Sequence, residues 1–152
     1  MLEVLNFFSK SISQILREEL KDKPIPNLEE IRLRSNGSIA LKFSQNSIIL
    51  HQKVTYKDIL ETLQIMCNNS IYSYQNEIKQ GFITVKGGHR IGIAGNCVIE
   101  NGRVININYI SSINFRIAKQ IIGAGNKALQ YILKLRENTI YNTLIISPPG
   151  VR

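Results

Sequence analysis

The chain has 152 residues, of which 43% are hydrophobic and 20% charged, and its formal net charge is +8. This length allows one domain with a proper core, or one domain and the beginning of another. No apolar run approaches the roughly 18 residues that a membrane-spanning helix needs, and the N-terminus lacks the basic region of a secretory signal. We therefore expect a cytoplasmic protein with no signal peptide and no transmembrane helix.

The positive charge is concentrated in the second half of the chain. Residues 1–78 carry nine Lys and Arg against nine Asp and Glu, whereas residues 79–152 carry ten Lys and Arg against only Glu100 and Glu137. Such an excess favours an acidic ligand, which could be nucleotide phosphates, nucleic acid, an anionic membrane surface or an acidic protein. A solvated basic face without a ligand explains the excess equally well.

The first part of the chain predicts a helix followed by short strands. Apolar side chains recur at helical spacing over residues 4–20, so we expect one amphipathic helix there. Residues 28–34 alternate between apolar and polar side chains, as in a half-buried strand with Arg32 and Arg34 on its polar side. Two further apolar runs within residues 39–50 predict a hairpin.

Two helices are predicted next. Thr55 and Asp58 have the spacing of a capping box, in which each side chain can hydrogen-bond the backbone of the other residue. The helix that they begin should run to about Asn68, because apolar residues follow at helical spacing. Ser70 opens a shorter helix, and its end is marked by Gly81, a residue that tolerates the left-handed backbone conformation.

A strand meander and a final helix make up the rest of the chain. Glycine-containing turns, among them a tight hairpin at Gly87–Gly88, separate strand-like runs at residues 82–85, 90–93, 97–99, 104–107 and 112–117. Apolar residues between 128 and 135 predict a helix, and Thr143–Ile146 predict a strand after it. A helix followed directly by a strand is typical of the entry to an α/β nucleotide-binding core.

The chain ends in a segment that resembles part of a phosphate-binding loop. Ser147, Pro148, Pro149 and Gly150 follow the last predicted strand, as the first half of a P-loop does. In a complete loop, backbone N–H groups surround the α- and β-phosphates, a Lys reaches the β- and γ-phosphates, and a Ser or Thr holds Mg²⁺. The sequence stops before that Gly-Lys-Ser/Thr, and an ordinary Pro-Pro-Gly turn explains the segment as well.

These elements together predict an α+β fold. We expect an N-terminal helix and a small mixed or antiparallel sheet with helices packed on it, followed by a helix and a strand that enter a truncated P-loop α/β core. The boundary should lie between the meander and the last helix. Residues 1–122 would then form an N-terminal α+β domain, and residues 123–152 the beginning of something larger.

The cysteines and histidines do not predict a metal site. Cys67 and Cys97 have no CxxC spacing and lie in apolar segments, so we expect both to be small buried hydrophobic residues rather than disulfide partners or ligands. His51 and His89 lack partners at metal-ligand spacing.

Four segments, taken in order, resemble the stage III sporulation protein AA family. These are P-loop ATPases of endospore-forming bacteria, similar to the ATPases of type II and type IV secretion systems. The segments are residues 30–34, 81–95, 110–118 and 142–150, and the Gly-Gly-His-Arg sequence of residues 87–90 is the most specific part. The resemblance covers nearly the whole chain.

The resemblance implies a P-loop of the form Ser-Pro-Pro-Gly-x-Gly-Lys-Thr. Residues 147–150 match it, but Arg152 stands at the second glycine, where a side chain would crowd the phosphate. Either Arg152 is a real departure or the sequence is a fragment of a longer gene, and we favour the fragment. ATP and Mg²⁺ are then expected for the complete protein, with no cofactor, no metal and no catalytic residue for this chain alone.

The resemblance also implies a role for arginines of the N-terminal domain. In related secretion ATPases this domain packs against the ATPase core of a hexameric ring and supplies arginines to nucleotide phosphates. Arg90 and Arg116 are the candidates, with Arg32 and Arg34 behind them. A guanidinium can bind phosphate oxygens through two parallel hydrogen bonds and is always charged. The alternative is that Arg32 and Arg34 form a solvated strand face and that Arg116 pairs with a carboxylate.

The function that the resemblance implies is the N-terminal domain of a sporulation ATPase, in which residues 1–122 serve oligomerisation or docking and residues 123–152 begin the truncated P-loop ATPase domain. It would act in the mother cell, at the membrane that surrounds the forespore, and energise a channel made of membrane proteins. The expected partners are further copies of the chain in a ring and those channel proteins. One alternative is a nucleic-acid-binding basic module, which is disfavoured because the aromatic residues are not interleaved with basic ones. Another is a purely structural interaction domain.

Overall fold

The computed structural model describes residues 2–21, 27–119, 122–134 and 136–147. The chain divides into two compact units, residues 1–118 and 119–152. The division falls a few residues before the predicted boundary at residue 122, and the roles expected for the two parts stay predictions. Within the described ranges, no helix is both long and apolar enough to cross a membrane.

The first unit contains a 3₁₀ helix at its N-terminal end and three α-helices after it. The 3₁₀ helix is Leu2–Phe7, and the helices of this unit are α1 (Lys10–Leu20), α2 (Tyr56–Met66) and α3 (Gln75–Lys79), the last preceded by a second 3₁₀ helix, Ile71–Tyr74. The capping box at the start of α2 and the left-handed Gly81 after α3 are confirmed.

The prediction of one continuous helix over residues 4–20 is wrong, because Ser9 interrupts it. The Ser9 hydroxyl accepts a hydrogen bond from the Ile12 N–H at 3.4 Å, which makes Ser9 the N-cap of α1. The Ser9 N–H donates instead to the Thr62 hydroxyl of α2 at 3.1 Å. The helical spacing of apolar residues continues across Ser9, so the sequence pattern does not reveal the break in the helix. The hydrogen bond from Ser9 to α2, a distant part of the chain, accompanies it.

Six strands form one antiparallel sheet in the order β3-β2-β1-β6-β5-β4. The strands are β1 (Leu28–Arg34), β2 (Ile39–Phe43), β3 (Ser47–Leu50), β4 (Phe82–Val85), β5 (His89–Glu100) and β6 (Arg103–Arg116). The α+β class is confirmed, and the sheet takes the antiparallel form of the two that were expected. The central pair, β1 and β6, joins the first hairpin to the later meander.

The apolar side of the sheet holds the core. In β1, β5 and β6 the residues Ile31, Ile91 and Phe115 lie side by side in register, and all three are fully buried. The buried residues of α1 and α2 belong to the same hydrophobic cluster, and α2 and α3 contact β6. Because side chains alternate along each strand, the arginines at positions 32 and 34 of β1, 90 of β5 and 116 of β6 point to the opposite side.

The long hairpin of β5 and β6 differs from the short strands that were predicted. Gly95–Asn96 does not end a strand; it lies at a bulge where the register with β6 shifts between Ala94 and Asn96. The turn at Asn101–Gly102 is confirmed, with φ of 50° and 74° as a two-residue hairpin turn of type I′ needs. Pairing with a neighbouring strand keeps β5 extended through a glycine that would otherwise favour a break.

In the second unit, helix α4 (Asn126–Ile132) leads into a small hairpin of β7 (Leu133–Lys134) and β8 (Thr139–Ile140). The strand expected at Thr143–Ile146 is not formed, and Leu144, Ile145 and Ile146 are exposed. A strand needs a neighbour to accept its hydrogen bonds. In the described part of the chain no strand pairs with these residues.

Asp58 links the start of α1 to the start of α2, and its removal should lower stability. Its Oδ2 accepts from the Thr55 N–H at 2.9 Å, and its Oδ1 accepts from the Ser9 and Ser11 hydroxyls. We expect Asp58→Ala to cost about 2 kcal/mol, because one change removes a helix cap and the cross-link between two helices. Urea unfolding at pH 7 measures this loss.

The same carboxylate predicts a pH dependence. Burial raises the pKa of Asp58, but the hydrogen bonds from Ser11, Thr55 and Ser9 outweigh it, so the pKa is lowered overall. The folded state therefore binds the Asp58 proton less well than the unfolded state, and the stabilisation is present above about pH 4 and lost as the pH falls through the folded pKa. The difference in the free energy of unfolding between wild type and Asp58→Ala should therefore become smaller below pH 4.

Glu61→Ala is the control for the stability loss. It removes an exposed pair with Lys57 on the same helix and should change the free energy of unfolding by less than about 0.5 kcal/mol. An equal loss of stability in both variants would contradict the prediction for Asp58.

Candidate phosphate-binding face

The polar side of the sheet carries five basic residues, which we call the basic face. They come from four neighbouring strands and are Arg32, Arg34, Lys42, Arg90 and Arg116. All five are exposed. The sequence predicted that Arg32 and Arg34 share one side of β1, and the structure adds that Arg90 and Arg116 share it with them, because the registers of β1, β6 and β5 place them on one side.

Arg90 and Arg116 lie directly opposite each other on β5 and β6. Opposed residues of antiparallel strands have Cβ atoms about 4.5–5.5 Å apart, and like charges at this distance destabilise the sheet. Among the residues that the structure describes, neither guanidinium has a carboxylate within 4.0 Å. Two unpaired arginines at this spacing can both donate to one phosphate group or to two adjacent ones.

Glu30 forms an ion pair with one arginine of the basic face and not with the others. It lies opposite Arg116 on one side and Lys42 on the other, and it is only 8% exposed. Its carboxylate accepts a hydrogen bond from the Arg32 Nε, with which it forms an ion pair. Arg32 is therefore already neutralised by a neighbour, whereas Arg90 and Arg116 keep their full hydrogen-bonding capacity for a ligand. The pairing of Arg116 with a carboxylate, which the sequence left open, is not what the structure records.

Next to Glu30, Arg116 and Arg90, the residues that lie in register across the four strands β1, β6, β5 and β4 include only one charged residue, Arg32. Asn114 lies between Arg32 on β1 and Gly92 on β5, and Phe82 follows on β4. The Asn114 Oδ1 is buried and has no hydrogen-bond partner. Sequence reasoning did not single out Asn114 or Glu30, although each lies two positions from a candidate arginine and so on the same side of its strand.

The Gly-Gly-His-Arg motif is divided between the two sides of the sheet. Arg90 belongs to the basic face, whereas the His89 ring packs against Phe7 and Phe115, with ring centroids 5.9 Å and 5.2 Å away. Burial lowers the pKa of His89, and its Nδ1 accepts a hydrogen bond from the Ala118 N–H at 3.0 Å. His89 is therefore a neutral residue that packs on the core side and not a ligand of the basic face.

The other sequence-predicted residues lie elsewhere. Ser147 is exposed at the end of the described chain, and Pro148, Pro149, Gly150 and Arg152 lie outside the described residues. Cys67 is buried, as expected, and burial with a smaller contribution from Glu77 raises its pKa to about 11. The prediction that Cys97 is also buried is wrong, because it lies on the part of β5 beyond the bulge, where only β6 pairs with it.

The fold and the basic face define a class of protein: an α+β domain whose antiparallel sheet packs on helices with one side and presents arginines on the other. Across residues 2–152 the sequence matches the family described as Sporulation stage III, protein AA. The chain belongs to this family.

Two comparisons give the extent of the similarity. The stage III sporulation protein AA of Bacillus subtilis (strain 168) is 37% identical over 145 residues, which are 91% of this chain and 46% of the relative. The chain thus spans about half the length of that relative. The VirB11 ATPase from the Brucella suis type IV secretion system, solved in complex with sulphate, aligns with 78% of this chain and 34% of its own at 15% identity and a TM-score of 0.45.

Proposed function

We propose that this chain is the N-terminal part of a secretion-type ATPase that acts in sporulation, and that its basic face binds nucleotide phosphates through Arg90 and Arg116. Membership of the sporulation family supports the biological setting. The resemblance of residues 142–150 to the beginning of a P-loop supports the ATPase class. The single observation that carries the phosphate-binding role is the directly opposed and unpaired Arg90 and Arg116.

The opposed arginines are unfavourable until an anion lies between them. A phosphate group that accepts hydrogen bonds from both guanidinium groups removes their repulsion and gains charge-assisted bonds. Glu30 pairs with Arg32, and the five basic residues of this face outnumber that carboxylate, so the attraction for an anion increases with the charge of the anion. The basic face therefore favours a ligand with several negative charges, such as a nucleoside triphosphate.

We assign phosphate binding to this chain and hydrolysis to the complete ATPase. The Lys and the Ser or Thr that would contact the β- and γ-phosphates and hold Mg²⁺ in a P-loop are not part of this sequence. In our proposal they belong to the complete ATPase, in which further copies assemble into a ring. That ring would energise a channel at the membrane around the forespore from the mother-cell side, in contact with the channel's membrane proteins.

The proposal is tested on a longer form of the protein that continues through Gly-Lys-Thr and the rest of the family's length. We expect it to bind ATP in equilibrium titrations and to form oligomers in sedimentation experiments. A longer form that neither binds ATP nor assembles beyond a monomer would make the ATPase proposal wrong. Binding of mixed DNA and RNA at low salt, without ATP binding, would instead favour the nucleic-acid module.

A further inference from the structure

The histidine of the most specific motif lies on the core side of the sheet and not on the basic face. His89 points away from Arg90, and its ring lies among the aromatic side chains of the core. Phe7 of the first 3₁₀ helix meets the ring edge-on at an interplanar angle of 75°, and Phe115 of β6 lies tilted against it at 38°. The ring is thus held from two elements that are distant in sequence.

Gly87 provides the space that the His89 ring occupies. A Cβ at Gly87 would lie 2.9 Å from the His89 Nε2, a distance at which the ring has to move, and 3.2 Å from its Cδ2, which is tighter than most contacts of a Cβ. Gly87 also has a φ of 88°, which other residues rarely adopt. The turn is therefore shaped so that the imidazole folds back over it, and the position of the ring depends on the glycine.

The third contact of the ring is with the end of the first unit. The Ala118 N–H donates to the His89 Nδ1 at 3.0 Å, and Ala118 is the last residue of that unit. The residue before it, Ile117, makes a backbone hydrogen bond of 2.9 Å to the Glu29 carbonyl. His89 therefore holds the chain one residue beyond its pairing with β1, and two residues beyond Arg116.

We propose that His89 is a positioning residue that fixes the backbone where the chain leaves the sheet and so orients Arg116 for phosphate binding. The bond requires an acceptor at Nδ1, which the neutral ring provides. The lowered pKa of His89 agrees with a ring that stays neutral in the folded protein. The orientation of Arg116 rests on the proposed function, whereas the attachment of Ala118 does not.

Two substitutions separate the acceptor from the ring. His89→Phe keeps an aromatic ring for packing and removes the acceptor, whereas His89→Asn keeps an oxygen close to the position of Nδ1 and removes the ring. The measurement is hydrogen exchange of backbone amides in this chain by NMR. Ala118 is exposed, so the bond to His89 is what protects its amide. We expect the Ala118 amide in His89→Phe to exchange about tenfold faster relative to the Phe115 amide, and the His89→Asn variant to keep most of the protection.

A residue that only packs in the core would give a different result. Loss of packing raises exchange at Ala118 and Phe115 together, as should occur in the control Ile59→Val, which shortens a buried side chain of α2. Parallel acceleration of both amides in His89→Phe would overturn the proposal. Loss of the Ala118 protection in His89→Asn, with Phe115 still protected, would overturn it too.

ATP titration of the same substitutions in the longer form of the protein tests the link to Arg116. We expect the dissociation constant for ATP to rise about threefold in His89→Phe and to return towards the wild-type value in His89→Asn. Unchanged affinity in His89→Phe, with Ala118 deprotected, would overturn the link. Absence of ATP binding by the wild-type longer form would overturn the proposed function, and the exchange experiment would still decide the role of His89 at Ala118.

Discussion

Arg116→Glu is expected to weaken the binding of ATP to the longer form of the protein by about 100-fold. The substitution removes one guanidinium of the opposed pair and places a second carboxylate beside Glu30, directly across from it in the sheet. Loss of charge-assisted hydrogen bonds costs about 1.5–3 kcal/mol each, and the added repulsion increases the effect. Equilibrium titration with ATP at low ionic strength is the measurement, since salt screens exposed charges.

Arg103→Glu is the matched control for this variant. Arg103 begins the same strand, β6, is exposed, and pairs in register with Glu100 at the far end of the hairpin. Both variants lower the net charge by the same amount. A difference between their affinities for ATP therefore reports the position of the arginine and not the total charge. Arg103→Glu should change the affinity by less than about threefold. Equal weakening by the two variants would mean that ATP responds to overall charge and that the basic face holds no defined site.

Gly95→Ala is expected to destabilise the first unit by about 2–3 kcal/mol. A Cβ at this position would lie 2.8 Å from the carbonyl oxygens of Asn108 and Tyr109 and 2.9 Å from the Ile107 Cγ2. Two of these three atoms belong to the backbone of β6, so the clash is relieved only by moving paired strands, which costs about as much as overpacking a core. The free energy of unfolding in urea measures the change.

Gly92→Ala provides the control on the same strand. Its Cβ would lie 3.5 Å from the Asn114 Cβ, which is ordinary van der Waals contact. Both substitutions remove the same freedom from the unfolded backbone, so their difference reports the close approach at the bulge. We expect Gly92→Ala to remain within about 0.5 kcal/mol of wild type. If the two variants were equally stable, the bulge would be able to accommodate a side chain and the prediction would be wrong.

The bulge at Gly95 is one of two features that shape the base of the long hairpin. Across from it, Tyr109 has a φ of 44°, an unusual conformation for an aromatic residue. Its ring stacks on Tyr56 at the start of α2, with centroids 4.6 Å apart and an interplanar angle of 13°. The stacking offsets part of the backbone cost, and it explains why a strained residue is kept in the middle of a strand.

Features with a local cause could be predicted from the sequence. The alternation in β1, the capping box of Thr55 and Asp58, the left-handed Gly81 and the Asn101–Gly102 turn all depend on residues within a few positions of one another. The family was also recognisable from its motifs. Each of these is carried by backbone preferences or by hydrogen bonds that span one turn, so a short stretch of sequence is sufficient to specify it.

Features that depend on register were decided only by the tertiary structure. Arg90 and Arg116 were candidates from the sequence, but only the alignment of β1, β6 and β5 shows that they lie opposite each other. The same alignment places Glu30 next to Arg32 and His89 on the core side of the sheet. The break in the first helix and the continuity of β5 through Gly95 likewise depend on partners from distant parts of the chain. Strand alignment is set by burying one apolar side across all the strands at once, and no single segment of the sequence contains that information.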